Sequence, residues 1–130
     1  MAISPLLRKL RYEDGAHIYV MNSPPEFEQE LATLPPTVLR SVRLEKRVNL
    51  VHAFFTLRRE LVENVARFTL LPPDGVLLLS YPRGGNLGSD LTTEIIRNAV
   101  APHGIETLAT TRLDAVWSAI RCKISRSAGR

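Results

Sequence analysis

The segment from Gly75 to Leu91 constrains the fold of this chain more than any other. Its first part, Val76 to Tyr81, is an apolar run with the length of a strand that is covered on both faces. Its second part, Pro82 to Gly88, is polar and rich in glycine, and apolar residues at helical spacing follow it. A buried strand that leads through such a loop into a helix is typical of α/β proteins, which bind ligands at this kind of junction.

The rest of the chain repeats this alternation of strands and helices. The link from Arg112 to Asp114 between the last two strands is too short for a crossover, so these strands must be antiparallel. The pattern predicts an α/β, three-layer Rossmann-like domain whose sheet is mostly parallel and ends in a C-terminal antiparallel hairpin. The predicted strands cover residues 17–21, 38–44, 48–55, 76–81, 105–111 and 115–124. One predicted helix starts near Ser23, a second covers residues 57–71, and a third starts at Ser89 or Asp90.

The charge of the chain is concentrated at its carboxyl end. Residues 1–120 hold 13 Lys and Arg against 13 Asp and Glu, whereas the last ten residues hold four basic residues and no acid. We therefore expect a single reduced Rossmann-like domain over residues 1–124 and a basic polar tail over residues 125–130. The neutral body argues against a nucleic-acid partner, which would need a basic face on the folded domain.

The sequence favours a cytoplasmic protein without a metal site. No apolar run approaches the roughly 20 residues that span a bilayer, and the amino-terminal residues lack the order of a signal peptide. Cys122 is the single cysteine, which excludes an intramolecular disulfide. His17, His52 and His103 are not spaced as metal ligands on one element. His52, in the most apolar strand, is interpreted as a core or edge histidine bonded to backbone, with a general base as the alternative.

The loop after residues 76–81 has the parts of an anion site. Gly84 and Gly85 can turn their N–H groups toward a ligand, and Arg83 supplies a guanidinium. Ser89 and Asp90 stand where the next helix is predicted to start. The lysine and the spacing of a phosphate-binding P-loop are absent. Two structural explanations stay open, because glycines also form ordinary turns and Asp90 is also a helix-capping residue type.

Tyr81, Asp114 and Trp117 are further candidates for the same site. The hypothesis is that they converge with the loop at the carboxyl end of the sheet and form a small polar pocket with one aromatic wall. In the alternative interpretation, Asp114 fixes the hairpin turn by bonding nearby backbone, and Trp117 packs against the sheet. No residue is assigned a catalytic role.

Three segments carry a resemblance to known proteins: Gly75 to Arg83, Asp90 to Thr92 and Asp114 to Arg121. They resemble the corresponding segments of a family of short bacterial proteins of unknown function. The succession of a parallel strand, a helix and two antiparallel strands also resembles the carboxy-terminal half of Rossmann-like class I methyltransferases. The wider resemblance covers most of the chain and implies a reduced methyltransferase-like sheet, but it does not imply a reaction.

The turn after the first strand departs from the methyltransferase pattern. An enzyme resembling this layout would bring glycine backbone against the adenosyl group, whereas this chain has Ser23, Pro24 and Pro25 there. Glu45 stands near the position of the acid that would bind the ribose hydroxyls. Its alternative interpretation is a solvated surface charge.

These observations favour a non-catalytic binding or interaction module on a degenerate methyltransferase-like scaffold. We expect no cofactor, and a small anion at the loop of Pro82 to Asp90 or a protein as the partner. The alternative is an S-adenosylmethionine-dependent methyltransferase that has an atypical cofactor turn or is completed by a partner chain. The open edges of the sheet also allow a homodimer.

Overall fold

The computed structural model of the chain describes residues 2–125. Six strands and four α-helices alternate along these residues. The strands are β1 (His17–Met21), β2 (Leu39–Ser41), β3 (Leu50–Phe54), β4 (Val76–Pro82), β5 (Ile105–Arg112) and β6 (Trp117–Ile124). The helices are α1 (Pro5–Lys9), α2 (Pro25–Leu31), α3 (Arg58–Asn64) and α4 (Thr93–Val100). Segments of 3-10 type follow α3 and α4, as Val65–Leu70 and Ala101–His103, and a series of turns over Arg83–Gly88 follows β4.

The six strands form one sheet in the order β2-β1-β3-β4-β6-β5. Strands β1 to β4 are parallel, and β6 is antiparallel to both β4 and β5. The predicted α/β fold with a closing hairpin is therefore confirmed. The chain places β2 on one side of β1 and then crosses to the other side to form β3. The strand order thus reverses between β1 and β3, and open α/β sheets bind ligands outside the carboxyl ends of the strands at such a reversal.

Helices cover both faces of the sheet and complete three layers. Leu61 of α3 and Ile96 of α4 pack in one core with Leu79 of β4, on what we call the α3–α4 face. Leu7 of α1 and Phe27 of α2 pack in a second core on the α1–α2 face. All five residues of β3 are buried, as expected of a central strand that is covered on both sides.

Several predicted elements are shorter in the structure: β3 and β6 lose residues at their ends, and two further elements differ more. The strand predicted over residues 38–44 is limited to β2, because the chain leaves the sheet after Ser41 and Val42 is 95% exposed. The helix predicted over residues 57–71 is α-helical only to Asn64 and then tightens to 3-10 geometry. Val65 and Phe68, both buried, are three residues apart and therefore share one side of a 3-10 segment.

The start of α4 corrects the prediction for Ser89 and Asp90. Neither residue caps this helix, because Thr92 does: its hydroxyl accepts the N–H of Ile95 at 3.1 Å. Thr92 has an extended backbone with φ of −135°, which is the usual geometry of an N-cap. Three capping residue types stand within four positions, and the sequence alone does not select among them.

The basic tail predicted over residues 125–130 lies outside the described residues except for Ser125. The backbone N–H of Ser125 donates to the carbonyl of Gly104 at 2.7 Å. Within residues 2–125, no helix has the length and apolar character needed to cross a membrane.

Candidate functional site

The loop between β4 and α4 follows the carboxyl end of β4 and carries most of the predicted site residues. Its backbone passes repeatedly through the left-handed region, with φ of 60° at Gly84, 77° at Gly85 and 70° at Gly88. Glycine adopts this conformation without strain. A Cβ atom built on any of these three glycines would meet nothing within 4 Å, so the glycines serve the backbone conformation and leave open space above the loop.

Leu87 is a residue of this loop that the sequence analysis did not single out. Its φ is 59°, and its side chain is 65% exposed. A bulky residue in the left-handed region stores backbone strain, and such strain is concentrated at ligand-binding and switch regions. The tip of the loop therefore combines strain with an exposed apolar side chain.

Arg83 is engaged in hydrogen bonds within the protein. Its guanidinium donates to the carbonyl of Trp117 at 2.7 Å, to the hydroxyl of Ser118 at 2.9 Å and to the carbonyl of Asp114 at 2.7 Å. These bonds join the start of the loop to the hairpin of β5 and β6. Because a guanidinium has five N–H donors, two remain for any other partner.

Ser89 and Asp90 also bind protein backbone. The Asp90 carboxylate accepts the N–H of Arg58, the first residue of α3, at 2.8 Å. The first N–H groups of a helix have no partner inside it, so Asp90 stabilises the start of a helix that precedes it in the chain. The Ser89 hydroxyl accepts the N–H of Leu91 at 3.1 Å.

Tyr81 and Trp117 lie on opposite faces of the sheet. Tyr81 belongs to the core of the α3–α4 face. Trp117 belongs to the core of the α1–α2 face, where its ring meets Phe54 edge-on at 5.3 Å. The Asp114 carboxylate accepts the N–H groups of Val116 and Trp117, each at 2.8 Å, and so fixes the hairpin turn. These three predicted residues therefore do not enclose one pocket.

The turn after β1 is closed by a side chain. Asn22 lies in the left-handed region with φ of 60°, and its amide nitrogen donates to the carbonyl of Phe54, the last residue of β3, at 3.4 Å. This bond spans the carboxyl ends of β1 and β3, where the strand order reverses. Pro24 and Pro25 follow as the N-cap and the first residue of α2.

The polar side chains beside this turn are paired with each other. The Ser23 hydroxyl donates to the Glu28 carboxylate, and the Arg40 guanidinium donates two bonds to that same carboxylate, at 2.9 and 2.6 Å. The bonds from Arg40 first, and from Ser23 second, lower the pKa of Glu28 to about 2. The charge of Glu28 is therefore already balanced within the protein.

Glu45 lies at the other end of β1 from the turn. Its carboxylate is 3.8 Å from the ring of His17, the first residue of β1, and accepts a bond of 3.4 Å from Ser41. The four residue steps of β1 separate its two ends by about 13 Å. Glu45 is therefore not placed where an acid would reach a ribose held at the carboxyl end of β1.

His52 is the centre of a buried polar network. Its Nδ1 lies 2.9 Å from the hydroxyl of Tyr12, and its Nε2 lies 2.6 Å from the hydroxyl of Ser80. All three side chains are at most 1% exposed, and burial lowers the pKa of His52 to about 3. A neutral imidazole donates through one nitrogen and accepts through the other, so both contacts are satisfied.

The network explains His52 as a core residue, although its partners are side chains and not backbone. Nothing in the sequence spacing of Tyr12, His52 and Ser80 marks them as neighbours. Among residues 2–125, no group of three or more His, Cys, Asp and Glu side chains is placed to hold a metal ion.

Solved structures similar to this chain include several methyltransferases. Mitomycin 7-O-methyltransferase MmcR is 13% identical with a TM-score of 0.60, and the match covers 88% of this chain and 51% of that protein. A TehB-like SAM-dependent methyltransferase from Corynebacterium glutamicum is 9% identical with a TM-score of 0.54, and the match covers 92% of this chain and 86% of that protein.

LepI in complex with SAM is 14% identical with a TM-score of 0.57 over 92% of this chain, and the chain spans 39% of the length of LepI. No protein-family model and no curated protein sequence matches the chain. At these identities the comparisons show the fold alone, which is a methyltransferase-like Rossmann scaffold.

Proposed function

We propose that this protein is a non-catalytic binding or interaction module on a methyltransferase-like scaffold. The observation that carries the proposal is the bond from Asn22 to Phe54 across the reversal point of the sheet. A ligand bound in the manner of this architecture approaches the backbone closely at that point. Here the side chain of Asn22 spans it, and the rings of Pro24 and Pro25 follow after Ser23.

The acids near β1 support the same proposal. Glu28 is neutralised by Arg40, and Glu45 lies beside His17 at the opposite end of β1. An adenosyl cofactor needs hydrogen-bond acceptors for its ribose at the carboxyl end of the sheet. Neither carboxylate is free at that place to serve as one.

The loop of Pro82 to Asp90 is the proposed contact surface for a small anionic ligand or a protein partner. Its left-handed glycines leave open space, and Leu87 presents an exposed apolar side chain at its tip. Because Arg83 and Asp90 hold other parts of the protein, the ligand contacts are assigned to the backbone N–H groups of Gly84 and Gly85.

An S-adenosylmethionine-dependent enzyme is the second candidate, and one observation favours it. Asn22 has the left-handed backbone that a glycine would provide in a cofactor turn. In this candidate, ligand binding breaks the bond from Asn22 to Phe54 and opens the turn, alone or with a partner chain.

Membership of a short bacterial family and self-association are further parts of the proposal. β2 and β5 are the two edges of the sheet, and Leu39 on β2 is 58% exposed. An exposed edge with apolar side chains is a surface for pairing with a second chain. Sedimentation velocity of the full chain over a range of concentrations tests the homodimer.

The binding proposal is tested by NMR titration of ¹⁵N-labelled protein with two probes. Inorganic phosphate is expected to shift the amide signals of Gly84, Gly85 and Gly88 in a saturable way. S-adenosylmethionine is expected to leave the amides of Asn22 and Ser23 unmoved. Saturable shifts at Asn22 and Ser23 with S-adenosylmethionine would instead support the enzyme.

A further inference from the structure

Helix α1 ends on a residue that is unusual for its position. The N–H of Arg11 donates to the carbonyl of Arg8, and the N–H of Tyr12 donates to that of Leu7, each at 2.9 Å. This pair of bonds is a Schellman motif, in which the left-handed position after the C-cap is most often glycine. Here that position is Arg11, with φ of 74°. The chain therefore has a strained arginine at a position where glycine would adopt the backbone conformation without strain.

The side chain of Arg11 borders a cavity of about 210 Å³ between the end of α1 and strands β5 and β6. Lys9 and Arg121 also line it, with Thr110 and Thr111 from β5, and no acid does. The volume corresponds to about seven water molecules. Thr111 pairs with Ala119 and shares its face of the sheet, whereas Thr110 borders the cavity from the opposite pleat. A site with three cations and one hydroxyl selects a small anion that carries more than one negative charge.

The floor of this cavity is apolar. Leu10, Leu78 and Ala119 line it and are each 1% exposed, because they belong to the core of the α1–α2 face. In β5 only Ile105 is buried, so the outer wall of the cavity is open to solvent. A ligand can therefore pack a carbon portion on the floor while its charged group contacts the rim.

The two arginines are available for such a ligand. Within residues 2–125, neither Arg11 nor Arg121 makes a side-chain hydrogen bond or an ion pair with an acid. Arg121 is half-buried on the floor side, whereas Arg11 is exposed at the rim. Arg11 borders three other cavities, and each contains acids: Glu13 and Asp14 in the first, Glu13 and Asp74 in the second, and Asp74 in the third, which Arg121 also borders. Their mixed charge does not select an anion.

We infer that the cavity bordered by Lys9, Arg11 and Arg121 is a binding site for a small phosphate monoester. The phosphate contacts the two guanidinium groups and the hydroxyl of Thr111, and the carbon portion of the ligand lies on the apolar floor. This site is separate from the loop of Pro82 to Asp90. Each of the two proposed sites is tested by the amide signals of its own residues.

The test is an NMR titration of the full chain with phenyl phosphate and with inorganic phosphate at constant ionic strength. Phenyl phosphate is expected to shift the amides of Thr110, Thr111 and Arg121 in a saturable way. It is expected to bind about tenfold more tightly than inorganic phosphate, because its ring removes apolar surface from water. Absence of saturable shifts at these residues would overturn the inference, whatever occurs at Gly84 and Gly85.

Three variants separate the site from general charge. Arg121→Gln and Arg11→Gly are each expected to weaken phenyl phosphate binding about tenfold or more, since each removes a charge-assisted pair of bonds. Arg112→Gln removes an exposed arginine that follows Thr111 but does not line the cavity, and is expected to leave the affinity within about twofold. If all three variants weaken binding equally, the interaction is a general charge effect and the inference is wrong. Arg11→Gly removes a left-handed arginine, so a loss of fold does not account for its effect.

Discussion

The carboxylate of Asp90 accepts the backbone N–H of Arg58 at 2.8 Å and so joins the loop after β4 to the helix after β3. The two residues are 32 positions apart in the chain. Asp90 has the residue type of a helix cap, and it does stabilise a helix start. The helix is α3, which precedes it, because parallel strands bring the residues after β3 and β4 to one edge of the sheet.

Asp90→Ala is expected to lower the free energy of unfolding by about 1 kcal/mol, the usual loss for a missing N-terminal cap. Asp90→Asn is expected to lose less, because an amide oxygen also accepts the Arg58 N–H. Urea unfolding followed by far-UV circular dichroism measures both. Glu106→Ala, at an exposed acid of β5, is the control and should stay within about 0.5 kcal/mol of the wild type. Equal effects of Asp90→Ala and Glu106→Ala would contradict the capping role.

Arg83→Lys is expected to destabilise the protein by about 1–3 kcal/mol, because one ammonium cannot replace three guanidinium bonds to the hairpin. Fluorescence of Trp117 during urea unfolding reports on this region directly. Arg112→Lys is the matched control, since Arg112 is an exposed arginine on the same hairpin. If both substitutions cost the same, the bonds from Arg83 do not stabilise the hairpin.

The elements of the fold were predictable because their signals are local. β1 lies at the residues that the apolar pattern predicts, and β4 extends the prediction by one residue. The short link at Arg112 to Asp114 determined the antiparallel hairpin. β2 was overestimated because the alternation of residues 38–44 continues after the chain has left the sheet. Sequence periodicity does not reveal where strand pairing ends.

The stability of the protein is expected to fall between pH 7 and pH 4.5 because of His52. Its pKa is 6.5 in the unfolded chain and about 3 in the fold, where burial disfavours the imidazolium. Below pH 6.5 the unfolded state therefore binds a proton that the folded state does not, and stability is lost as the pH falls. The loss from this residue amounts to about 2–3 kcal/mol at pH 4.5.

Urea unfolding at a series of pH values tests this expectation. His52→Gln keeps polar groups for Tyr12 and Ser80 and removes the titration, so its stability should change less over this range. The two proteins are compared by the slope of the free energy of unfolding against pH, because the substitution also lowers the stability at pH 7. Glu28 begins to lose its contribution as the pH approaches its ordinary pKa of 4.5, at the lower end of the range, and this loss is the same in both proteins. Parallel slopes for the two proteins would contradict the assignment to His52.

Arg11→Gly is expected to raise the free energy of unfolding by about 1 kcal/mol, because glycine adopts a φ of 74° without the penalty of a Cβ atom. Lys9→Gly is the matched control two residues earlier, at the last residue of α1, where glycine is expected to lower stability by up to about 1 kcal/mol. Thermal unfolding is expected to show a stability change of opposite sign for the two variants. A lower stability of Arg11→Gly would show that the arginine side chain is itself stabilising.

The candidate site was less predictable than the fold, because side-chain direction depends on register. Tyr81 and Trp117 are both near the end of the sheet, but the pleat places them on opposite faces. Of the two interpretations of Asp114, the structure agrees with the one in which this aspartate fixes the hairpin turn by bonding nearby backbone. Arg11 carried no signal at all, because its importance comes from a backbone angle and from strands about a hundred residues away.

The most direct measurement is isothermal titration calorimetry of the full chain with S-adenosylmethionine. We expect no binding tighter than about 1 mM, because Asn22 bridges the carboxyl ends of β1 and β3 and two prolines follow after Ser23. A single site with a micromolar dissociation constant would contradict this expectation and would show that the turn after β1 opens to hold the cofactor.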